Sequence, residues 1–378
     1  MRVLVLALAD ASKNPRPNRL LNLLVGGGHD VTFCGLGPHS NPQVAFQPIS
    51  PAGLLHRIRK AFLLKTRQFS LASMPCGARE LQCRLEKQDW DAVVSHDLEL
   101  LPFVFKALPG VPVYADIREF FPRHFDTQWH WRFLFADYYD SLCREYLPKL
   151  RQGWTVSEGL ARLYRDEYQV ELDVVHSLPP FADLLPSPKI HSPVRLVHHG
   201  SANSVRCLEN MIAMMDVAGS EYQLDIILVP NQKSYARKLE RLASERSNVN
   251  ILPPVPFEAI IPTLHKYDIG VYTVPPTTTN LRHAMPNKLF EFVQARLPIL
   301  CGPGTTVADY VAAQSIGFCA QDYSAEALAR CLSRFDADSV GRLNKVVHDH
   351  AATCHQAVSD SYLSAIFNHR EGRQTEFC

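Results

Sequence analysis

The sequence predicts an α/β protein with two doubly wound domains facing a central cleft, and three observations support this prediction. Short apolar runs alternate with helical patterns along the chain, as expected for parallel sheets with crossover helices. The 378 residues are too many for one ordinary core. Five prolines within residues 178–193 exclude a helix there, and the alternation then begins again. Ligands of such sheets bind at the carboxyl ends of the strands, so the cleft between the domains is the expected site.

The same observations set the predicted domain boundaries. The N-terminal domain spans residues 1–180, and a proline-rich linker follows at 181–193. The C-terminal domain spans residues 194–355. The last residues, 356–378, are predicted to form a helix that packs back toward the first domain.

Each element is predicted from its apolar pattern and from the residues that interrupt it. In the first half, a helix begins at residues 19–24 and stops at the glycines of 26–28. The predicted strands of this half are Val3–Ala9, Val31–Cys34, Asp91–Ser95 and Val111–Ala115. In the second half, a helix lies around residues 208–217. The predicted strands there are Val194–His198, Leu224–Val229, Ile269–Val274 and Ile299–Cys301.

Composition excludes several classes of protein. A hydrophobic content of 46% and a charged content of 20% are globular values. Lys and Arg number 39 against 38 Asp and Glu, so there is no general attraction to nucleic acid and any anion site must be local. No apolar run approaches the length of a membrane span, and residues 1–9 are interpreted as a buried strand. The ten cysteines contain no Cys-x-x-Cys, which favours a cytoplasmic protein with reduced thiols and no structural zinc.

The stretch from Pro286 to Leu300 carries the strongest local signal for a ligand. It places Glu291 in the first turns of a short helix that follows the polar loop 275–280. Free N–H groups and the dipole at such a helix start suit a diphosphate. A nearby carboxylate suits the hydroxyl groups of a ribose. The stretch therefore favours a nucleotide-sugar site, and the alternative is an ordinary amphipathic crossover helix with a solvated Glu.

Polar side chains follow two strands of the first half. His96 and Asp97 come directly after residues 92–95, where a histidine can bind a sugar hydroxyl or stabilise developing charge. The alternative is a capping turn with Asp97 as the N-cap residue. After the next strand come charged residues that suit a polar acceptor or, equally, an internal ion network: Asp116, Arg118, Glu119 and, beyond them, His124 with the aromatic group 129–131.

The second half offers a separate set of cations. Gly200 and Arg206 follow its first strand, and a glycine turn beside a cation suits a diphosphate. Lys233, after the second strand, is a further candidate. The tripeptides Asp89-Trp90-Asp91 and Asp336-Ala337-Asp338 could suggest a divalent metal, but both are interpreted as surface turns.

Residues 54–69 form a basic amphipathic segment. Leu55, Ile58, Phe62 and Phe69 could share one helical face, while the five Arg and Lys residues lie largely elsewhere. This pattern is typical of contact with an anionic membrane or a phosphate-bearing acceptor. A solvated outer helix packed on the first sheet is the alternative.

Together these features resemble the retaining nucleotide-sugar glycosyltransferases of the GT-B fold, which has two Rossmann-like domains, and most closely glycosyltransferase family 4. The resemblance spans nearly the whole chain and depends on the order and spacing of its parts. These parts are residues 91–97, 114–119, 156–160, 199–210, 267–271 and 286–298.

The resemblance implies roles for individual residues. It implies that Glu291 holds the donor ribose and that His96 contacts the transferred sugar. The donor, with its diphosphate, would be held by Gly200, Arg206, Lys233, Asn287 and Lys288. The acceptor would bind on the side of the N-terminal domain. The family has another Glu eight residues before Glu291, where this chain has His283, and its glycine-rich first loop is replaced here by residues 10–16.

The implied reaction is metal-independent transfer with retention, from a nucleoside-diphosphate sugar to a glycan or glycolipid acceptor, without a further cofactor. A role in building capsule, lipopolysaccharide or another surface polysaccharide is expected. The expected location is cytoplasmic, with peripheral contact to the inner face of the cell membrane through residues 54–69. The alternatives are a nucleotide-sugar epimerase of the same fold and a degenerate, non-catalytic partner protein, the latter suggested by His283.

Overall fold

The computed structural model describes residues 1–187 and 190–368. It divides into two compact units. The first contains Met1–Val175 together with the chain from Asp360, and the second contains His176–Ser359. Residues 188–189 of the predicted linker and 369–378 of the predicted C-terminal helix lie outside the described residues.

A seven-stranded parallel sheet forms the centre of the first unit. Its strand order is β3-β2-β1-β4-β5-β6-β7, so the chain changes direction across the sheet between β1 and β4. This switch point is where doubly wound sheets bind ligands. The strands are β1 (Arg2–Leu6), β2 (Asp30–Gly35), β3 (Val44–Pro48), β4 (Ala92–Ser95), β5 (Val113–Asp116), β6 (Gln152–Thr155) and β7 (Asp173–Val174).

Helices cover this sheet on both faces. Leu4 and Leu6 lie in one buried cluster while Val3 and Val5 lie in another, because successive side chains of a strand point to opposite faces. The helices are α1 (Pro15–Gly26), α2 (Leu54–Lys65), α3 (Phe69–Ala72), α4 (Ala78–Leu85), α5 (Leu101–Ala107), α6 (Trp129–Leu134), α7 (Ala136–Tyr146) and α8 (Glu158–Tyr168).

The second unit repeats this architecture with six parallel strands. Their order is β10-β9-β8-β11-β12-β13, which places a second switch point between β8 and β11. One continuous apolar cluster fills this unit. The strands are β8 (Val194–Ser201), β9 (Tyr222–Val229), β10 (Val249–Leu252), β11 (Ile269–Tyr272), β12 (Ile299–Cys301) and β13 (Gly317–Cys319).

In the described part of the chain, residues 190–368 form eight α-helices of the second unit and a ninth that returns to the first. They are α9 (Glu209–Ala218), α10 (Lys233–Ser244), α11 (Ile260–Leu264), α12 (Thr279–His283), α13 (Asn287–Gln294), α14 (Thr306–Ala313), α15 (Ala325–Leu332), α16 (Ala337–Ala351) and α17 (Gln356–Asn368). In α17, Leu363 and Phe367 are buried in the same cluster as Val3 and Val5 of the first sheet.

The predicted fold class of two doubly wound parallel units is confirmed, and every predicted strand is present. Ile299–Cys301 has its predicted ends, and the other strands have ends shifted by a few residues. The sequence analysis missed five strands: β3, β6, β7, β10 and β13. Most of these lie toward the sheet edges, are short and carry polar or half-buried side chains, so their pattern differs little from that of a loop.

The proline-rich segment after the first unit packs on the second unit. No helix or strand forms in residues 178–187 or 190–193. The Ala182 N–H donates to Gln294 Oε1 at 2.9 Å, and the Ala182 carbonyl accepts from Arg296 Nη2 at 2.7 Å. The segment is therefore held by side chains of α13 and of the turn that follows it.

None of the helices in residues 1–187 and 190–368 has the length and apolar character that a membrane crossing requires.

Candidate functional site

The second unit gathers several polar groups at its switch point. Strand β8 ends here, and the turn that follows it is closed by the Asn203 side chain, which accepts from the Val205 N–H at 3.2 Å. The loop after β11 reaches the same turn, since Thr277 Oγ1 donates to the Val205 carbonyl at 2.9 Å. The loops after β8 and β11 are therefore joined where a doubly wound sheet binds its ligands.

Two cations converge on Gly200. Its φ of +135° is one that side-chain-bearing residues rarely adopt. A Cβ at this position would lie 2.6 Å from Lys288 Nζ and 3.4 Å from Arg206 Nη1. The backbone conformation therefore favours glycine, and the absence of a Cβ leaves room for the ends of these two side chains. The structure thus brings Gly200, Arg206 and Lys288 together, as expected for a diphosphate site.

The Lys288 ammonium is buried without a counter-ion in hydrogen-bond contact. Within the described chain its Nζ has no hydrogen-bond partner, and it lies 5.7 Å from the centre of the Tyr272 ring. Burial, with the neighbouring Arg206 charge, lowers the pKa of Lys288 well below its usual value, and Glu291 offsets part of this. A buried polar group of this kind is costly unless something binds it, so an anionic ligand would satisfy it.

Glu291 is buried at the same place. Its carboxylate oxygen Oε2 lies 3.1 Å from His199 Nε2 at the end of β8. The two atoms are at ion-pair distance, although their orientation does not form a hydrogen bond. The alternative of a solvated glutamate on an ordinary crossover helix is therefore wrong, because this side chain is only 6% exposed.

His198 supports the site from inside the sheet. Its Nδ1 lies 2.8 Å from the Val271 carbonyl, which can only accept, so Nδ1 carries the proton. Burial, followed by the charge of Lys288, lowers the pKa of His198 well below its usual value. The imidazole is therefore neutral, and it links β8 to β11 beside the two cations.

The start of α13 supplies backbone donors. Pro286 is the N-cap residue, and no side chain caps this helix, whereas Thr278 and Thr305 cap α12 and α14. The Leu289 N–H donates to the Pro286 carbonyl at 3.1 Å, whereas the N–H groups of Asn287 and Lys288 have no side-chain cap, and the helix dipole favours an anion there. Asn287, the first residue of α13, is exposed.

Lys233 is placed differently from the other predicted cations. It is the exposed first residue of α10, and in the described structure its ammonium makes no hydrogen bond or ion pair. The turn before it lies beside β8, since the Gln232 N–H donates to the Ala202 carbonyl at 3.1 Å. Lys233 thus shares the sheet edge with Arg206 and Lys288 but does not join their cluster.

The first unit holds a buried triad at its own switch point. His96 follows β4, and its Nδ1 lies 2.9 Å from Asp116 Oδ2 at the end of β5. Arg16, in α1, binds both oxygens of the same carboxylate, with Nε at 2.5 Å from Oδ2 and Nη2 at 2.6 Å from Oδ1. His96 Nε2 is buried, and no group of the described chain bonds to it.

The triad fixes the orientation of the imidazole. Burial alone would raise the pKa of Asp116, but Arg16 and His96 together lower it well below its usual range. The carboxylate is therefore charged, accepts the Nδ1 proton, and leaves His96 Nε2 as the free ring nitrogen. Both oxygens of Asp116 are occupied, which matches the internal ion network considered for this residue rather than direct contact with an acceptor.

Asp97 does not cap the turn that follows it. Its Oδ2 accepts from the Leu8 N–H at 2.7 Å, and it makes no side-chain hydrogen bond to the turn that it begins. Asp97 therefore occupies the N-cap position of the turn at Leu98–Leu100, as the alternative expected, but its side chain does not cap that turn. Its carboxylate instead joins the loop after β1 to the loop after β4, across the switch point.

The other acceptor-side candidates lie further along the same loop. Arg118 and Glu119 are half-buried, and Glu119 Oε2 lies 3.8 Å from His124 Nδ1. His124 packs in an aromatic cluster, with ring-centre distances of 4.1 Å to Phe125 and 5.6 Å to Trp131. Burial lowers the pKa of His124. The structure therefore brings Glu119 and His124 together, whereas Asp116 belongs to the buried triad.

The two Asp-x-Asp tripeptides bind backbone groups. Asp91 Oδ2 accepts from the Arg2 N–H at 2.7 Å, and Asp336 caps α16 by accepting from the Ser339 N–H at 2.8 Å. In the part of the chain that the structure describes, no three His, Cys, Asp or Glu side chains are grouped so that they could hold a metal ion.

Comparison with known proteins identifies the fold. No profile of a protein family and no curated protein sequence matches the chain. Solved structures do match over nearly its whole length, and they show that the chain has the GT-B fold of glycosyltransferases, with two Rossmann-like domains.

Three of these structures illustrate the likeness. HepE from Anabaena, solved with UDP and glucose, has 10% identity and a TM-score of 0.71, covering 98% of this chain and 100% of its own. Sucrose-phosphate synthase from Thermosynechococcus elongatus has 12% identity and a TM-score of 0.76, with coverages of 98% and 99%. WaaG, a glycosyltransferase involved in lipopolysaccharide biosynthesis, has 14% identity and a TM-score of 0.66, with coverages of 97% and 100%.

Proposed function

We propose that this protein is a retaining glycosyltransferase that uses a nucleoside-diphosphate sugar. The observation that supports this most is the convergence of Lys288 Nζ and Arg206 Nη1 on Gly200, beside the buried Glu291. An uncompensated buried ammonium, a second cation and an uncapped helix start form a diphosphate site. The buried carboxylate of Glu291, in the second turn of the same helix, suits the donor ribose.

In the proposed reaction, the acceptor hydroxyl attacks the anomeric carbon on the face from which the diphosphate leaves. The bond from that carbon to the diphosphate breaks, its electron pair stays on the diphosphate, and the hydroxyl proton passes to the leaving phosphate oxygen. Arg206, Lys288 and the helix dipole stabilise the charge that develops there. No nucleophile of the protein is required, and the reaction is proposed to be metal-independent.

His96 is proposed to act on the transferred sugar. Its Nδ1 is held by Asp116, so Nε2 is the atom presented to a ligand. A hydrogen bond from a sugar hydroxyl to this nitrogen would be preorganised, because the triad fixes the ring before the substrate binds. The proposed roles of Asn287 and Lys233 are contacts to the diphosphate, and those of Arg118, Glu119 and His124 are contacts to the acceptor.

The acceptor is proposed to be a glycan or a lipid-linked saccharide of a surface polysaccharide. WaaG, which is similar in fold, is described as a glycosyltransferase of lipopolysaccharide biosynthesis. HepE is described in complex with UDP and glucose, so UDP-sugars are the first donors to test. The nine described cysteines are free, which fits the proposed cytoplasmic location.

A ligand screen tests this proposal. The unfolding temperature of the protein should rise with one nucleoside diphosphate from a panel, and rise with its sugar conjugate, because a ligand of the native state stabilises it by mass action. Purified donor is then incubated with and without candidate acceptors. Acceptor-dependent release of nucleoside diphosphate supports transfer, whereas an epimerised sugar formed without an acceptor supports the epimerase. If no nucleoside diphosphate stabilises the protein, the degenerate partner suggested by His283 is favoured.

A further inference from the structure

Helix α2 turns an apolar face to the solvent. Leu63 and Leu64 are buried in the core of the first unit and hold the helix there. The opposite side is exposed, with 83% of Leu55 and 62% of Phe62 accessible. At about 100° per residue, the exposed apolar positions fall within an arc of about 100°. We call these residues the α2 face: Leu54, Leu55, Ile58 and Phe62.

Positive charge borders the α2 face on both edges. In the same helical projection Arg57 lies beside one edge and Arg59 beside the other, while Lys65 lies at the C-terminal end of the face. All three are exposed, and no ion pair among the described residues involves them. Two further cations near the helix are already paired, Lys60 with Glu99 and Arg67 with Asp137.

The charge of this region differs from that of the chain as a whole. The complete protein has a formal net charge of +1, yet no Asp or Glu occurs anywhere in residues 31–79. That run contains six Arg and Lys residues, from Arg57 to Arg79. A partner that covered the α2 face would therefore meet cations and no carboxylate from this stretch.

A second exposed apolar group lies on another helix that packs against α7. In α6, 73% of Trp129 and 81% of Phe133 are exposed. Helix α6 stacks Trp131 on Tyr139 with ring centres 5.3 Å apart. Helix α2 reaches the preceding residue, with Lys60 Nζ 5.5 Å from the Tyr138 ring centre. The two helices that carry the exposed apolar groups thus contact adjacent residues of α7, within the first unit.

We propose that the α2 face, with its bordering cations, docks the protein on the surface of an anionic lipid bilayer. A helix with exposed apolar residues on one side and Arg or Lys along the borders lies in the interface between headgroups and acyl chains. The cations bind anionic headgroups, and Trp129 and Phe133 add a second anchor, since aromatic rings favour this interface. Docking would bring the protein to the membrane that carries the proposed lipid-linked acceptor. The docking itself does not require transferase activity.

A second copy of the chain is a poorer occupant of the same face. A two-fold contact between two α2 faces would bring together two surfaces that are both bordered by Arg57 and Arg59. Like charges at such a contact repel, and residues 31–79 offer no carboxylate to relieve them. An anionic bilayer offers the opposite charge to each of these cations.

Vesicle co-sedimentation of the full chain tests the proposal. The vesicles are phosphatidylcholine alone or an equal mixture of phosphatidylcholine and phosphatidylglycerol. The apolar variant is Leu55→Ser/Ile58→Ser/Phe62→Ser, and the charge variant is Arg57→Gln/Arg59→Gln/Lys65→Gln. The matched controls change exposed residues elsewhere: Val217→Ser/Phe257→Ser/Val346→Ser for the apolar set and Arg162→Gln/Arg342→Gln/Lys345→Gln for the charged set.

The wild type should partition onto the anionic vesicles at least tenfold more strongly than onto the neutral ones. Added salt should weaken its binding to the anionic vesicles. Both variants should lose at least tenfold in partitioning, while both controls keep it. Because the changed residues are exposed, unfolding temperatures should stay close to wild type. Equal binding to both vesicles, or equal losses in variants and controls, would overturn the proposal. So would a dimer in solution that the apolar variant dissociates while no vesicle binding is seen.

A single-residue reporter gives an independent readout. Phe62→Trp places an indole on the α2 face, and a quencher carried on the acyl chains should reduce its fluorescence only with anionic vesicles. The same substitution at Phe257 is the control and should show no quenching. Vesicle binding without nucleotide binding would support docking and contradict the proposed transferase function. Nucleotide binding without vesicle binding would contradict docking and leave the proposed function standing.

Discussion

The carboxylate of Glu291 lies 3.1 Å from the imidazole of His199, and both residues belong to the second switch point. His199 lies near the end of β8, whereas Glu291 lies in α13, so the contact joins the first strand of the unit to this helix. The carboxylate is therefore held in position before the proposed donor binds. Preorganisation of this kind strengthens binding because little freedom is lost when the ligand arrives.

Replacing Glu291 by Ala should weaken donor binding by at least tenfold. A charge-assisted hydrogen bond to a ribose hydroxyl contributes about 1.5–3 kcal/mol, and the variant removes it. Calorimetric titration of nucleoside diphosphate and nucleotide sugar measures the effect. Glu240→Ala, at an exposed position of α10, is the control and should bind like wild type. An unchanged donor affinity in folded Glu291→Ala would remove this residue from the site.

Replacing Arg206 by Ala should weaken the nucleoside diphosphate and the intact donor by the same factor. The guanidinium lies beside Lys288, where the diphosphate common to both ligands is proposed to bind. Titrations of both ligands check this, with the exposed Arg237→Ala as control. A loss seen only in acceptor saturation would place Arg206 outside the donor site.

Replacing Lys288 by Met should stabilise the free protein and weaken diphosphate binding. The buried ammonium has no hydrogen-bond partner, so an apolar chain of similar length removes its desolvation cost. Each kcal/mol gained corresponds to about 2–4 °C in unfolding temperature for a domain of this size. Thermal unfolding with and without ligand measures both effects, and a lower unfolding temperature in the free variant would contradict the reasoning.

Diphosphate binding should also take up a proton. The pKa of Lys288 is well below its usual value in the free protein, and a bound anion raises it, so the protonated fraction increases on binding. Calorimetry in buffers with different ionisation enthalpies gives the number of protons. Uptake should occur at a pH above the pKa of the free state and should disappear in Lys288→Met. If the variant takes up as many protons as wild type, the uptake belongs to another group.

Replacing His96 by Ala should lower turnover strongly while leaving nucleoside diphosphate affinity nearly intact. The residue belongs to the first unit and is proposed to contact the sugar as charge develops on it. Turnover and diphosphate affinity are measured on the same variant, and His96→Gln, which keeps a polar side chain, should lose less. Equal losses in turnover and affinity would assign His96 to nucleotide binding or to folding.

Asp116→Asn should lower both stability and turnover, because it leaves Arg16 without its counter-charge in a buried place. The carboxyl pKa is lowered in the folded state, so its contribution is fully present above the unfolded value of about 3.9 and is lost as the pH falls below it. The difference in unfolding temperature between wild type and variant should therefore be constant near neutral pH and shrink only in acid. A difference that instead grows as the pH falls would contradict this assignment.

Transfer should continue in the presence of EDTA. The cations proposed to neutralise the diphosphate are Arg206 and Lys288, and the two Asp-x-Asp tripeptides bind backbone groups. Activity is compared before and after chelation and again with added magnesium or manganese. Loss of activity with EDTA and its return with either metal would show that a divalent metal ion takes part in the transfer, contrary to the proposed mechanism.

The sequence predicted the fold class and the helix that carries Glu291, because both depend on local patterns. It could not reveal the triad, since Arg16 and Asp116 are 100 residues apart and meet only when α1 packs beside β5. It could not separate Lys233 from Arg206, because both are cations after neighbouring strands. The sequence also left the orientation of α2 open, because Leu55 and Leu63 are both apolar residues of this helix. The structure buries Leu63 and exposes Leu55.

The last helix has a consequence for the order in which the protein folds during synthesis. Leu363 and Phe367 complete the apolar cluster that contains β1, and Asp360 pairs with Arg19 of α1 at 3.1 Å. The apolar cluster around β1 therefore cannot close until the segment that contains Leu363 and Phe367 has been synthesised. The second unit is contiguous and can finish earlier. Emergence of α17, rather than growth past residue 175, should thus mark the moment at which the first unit becomes resistant to protease.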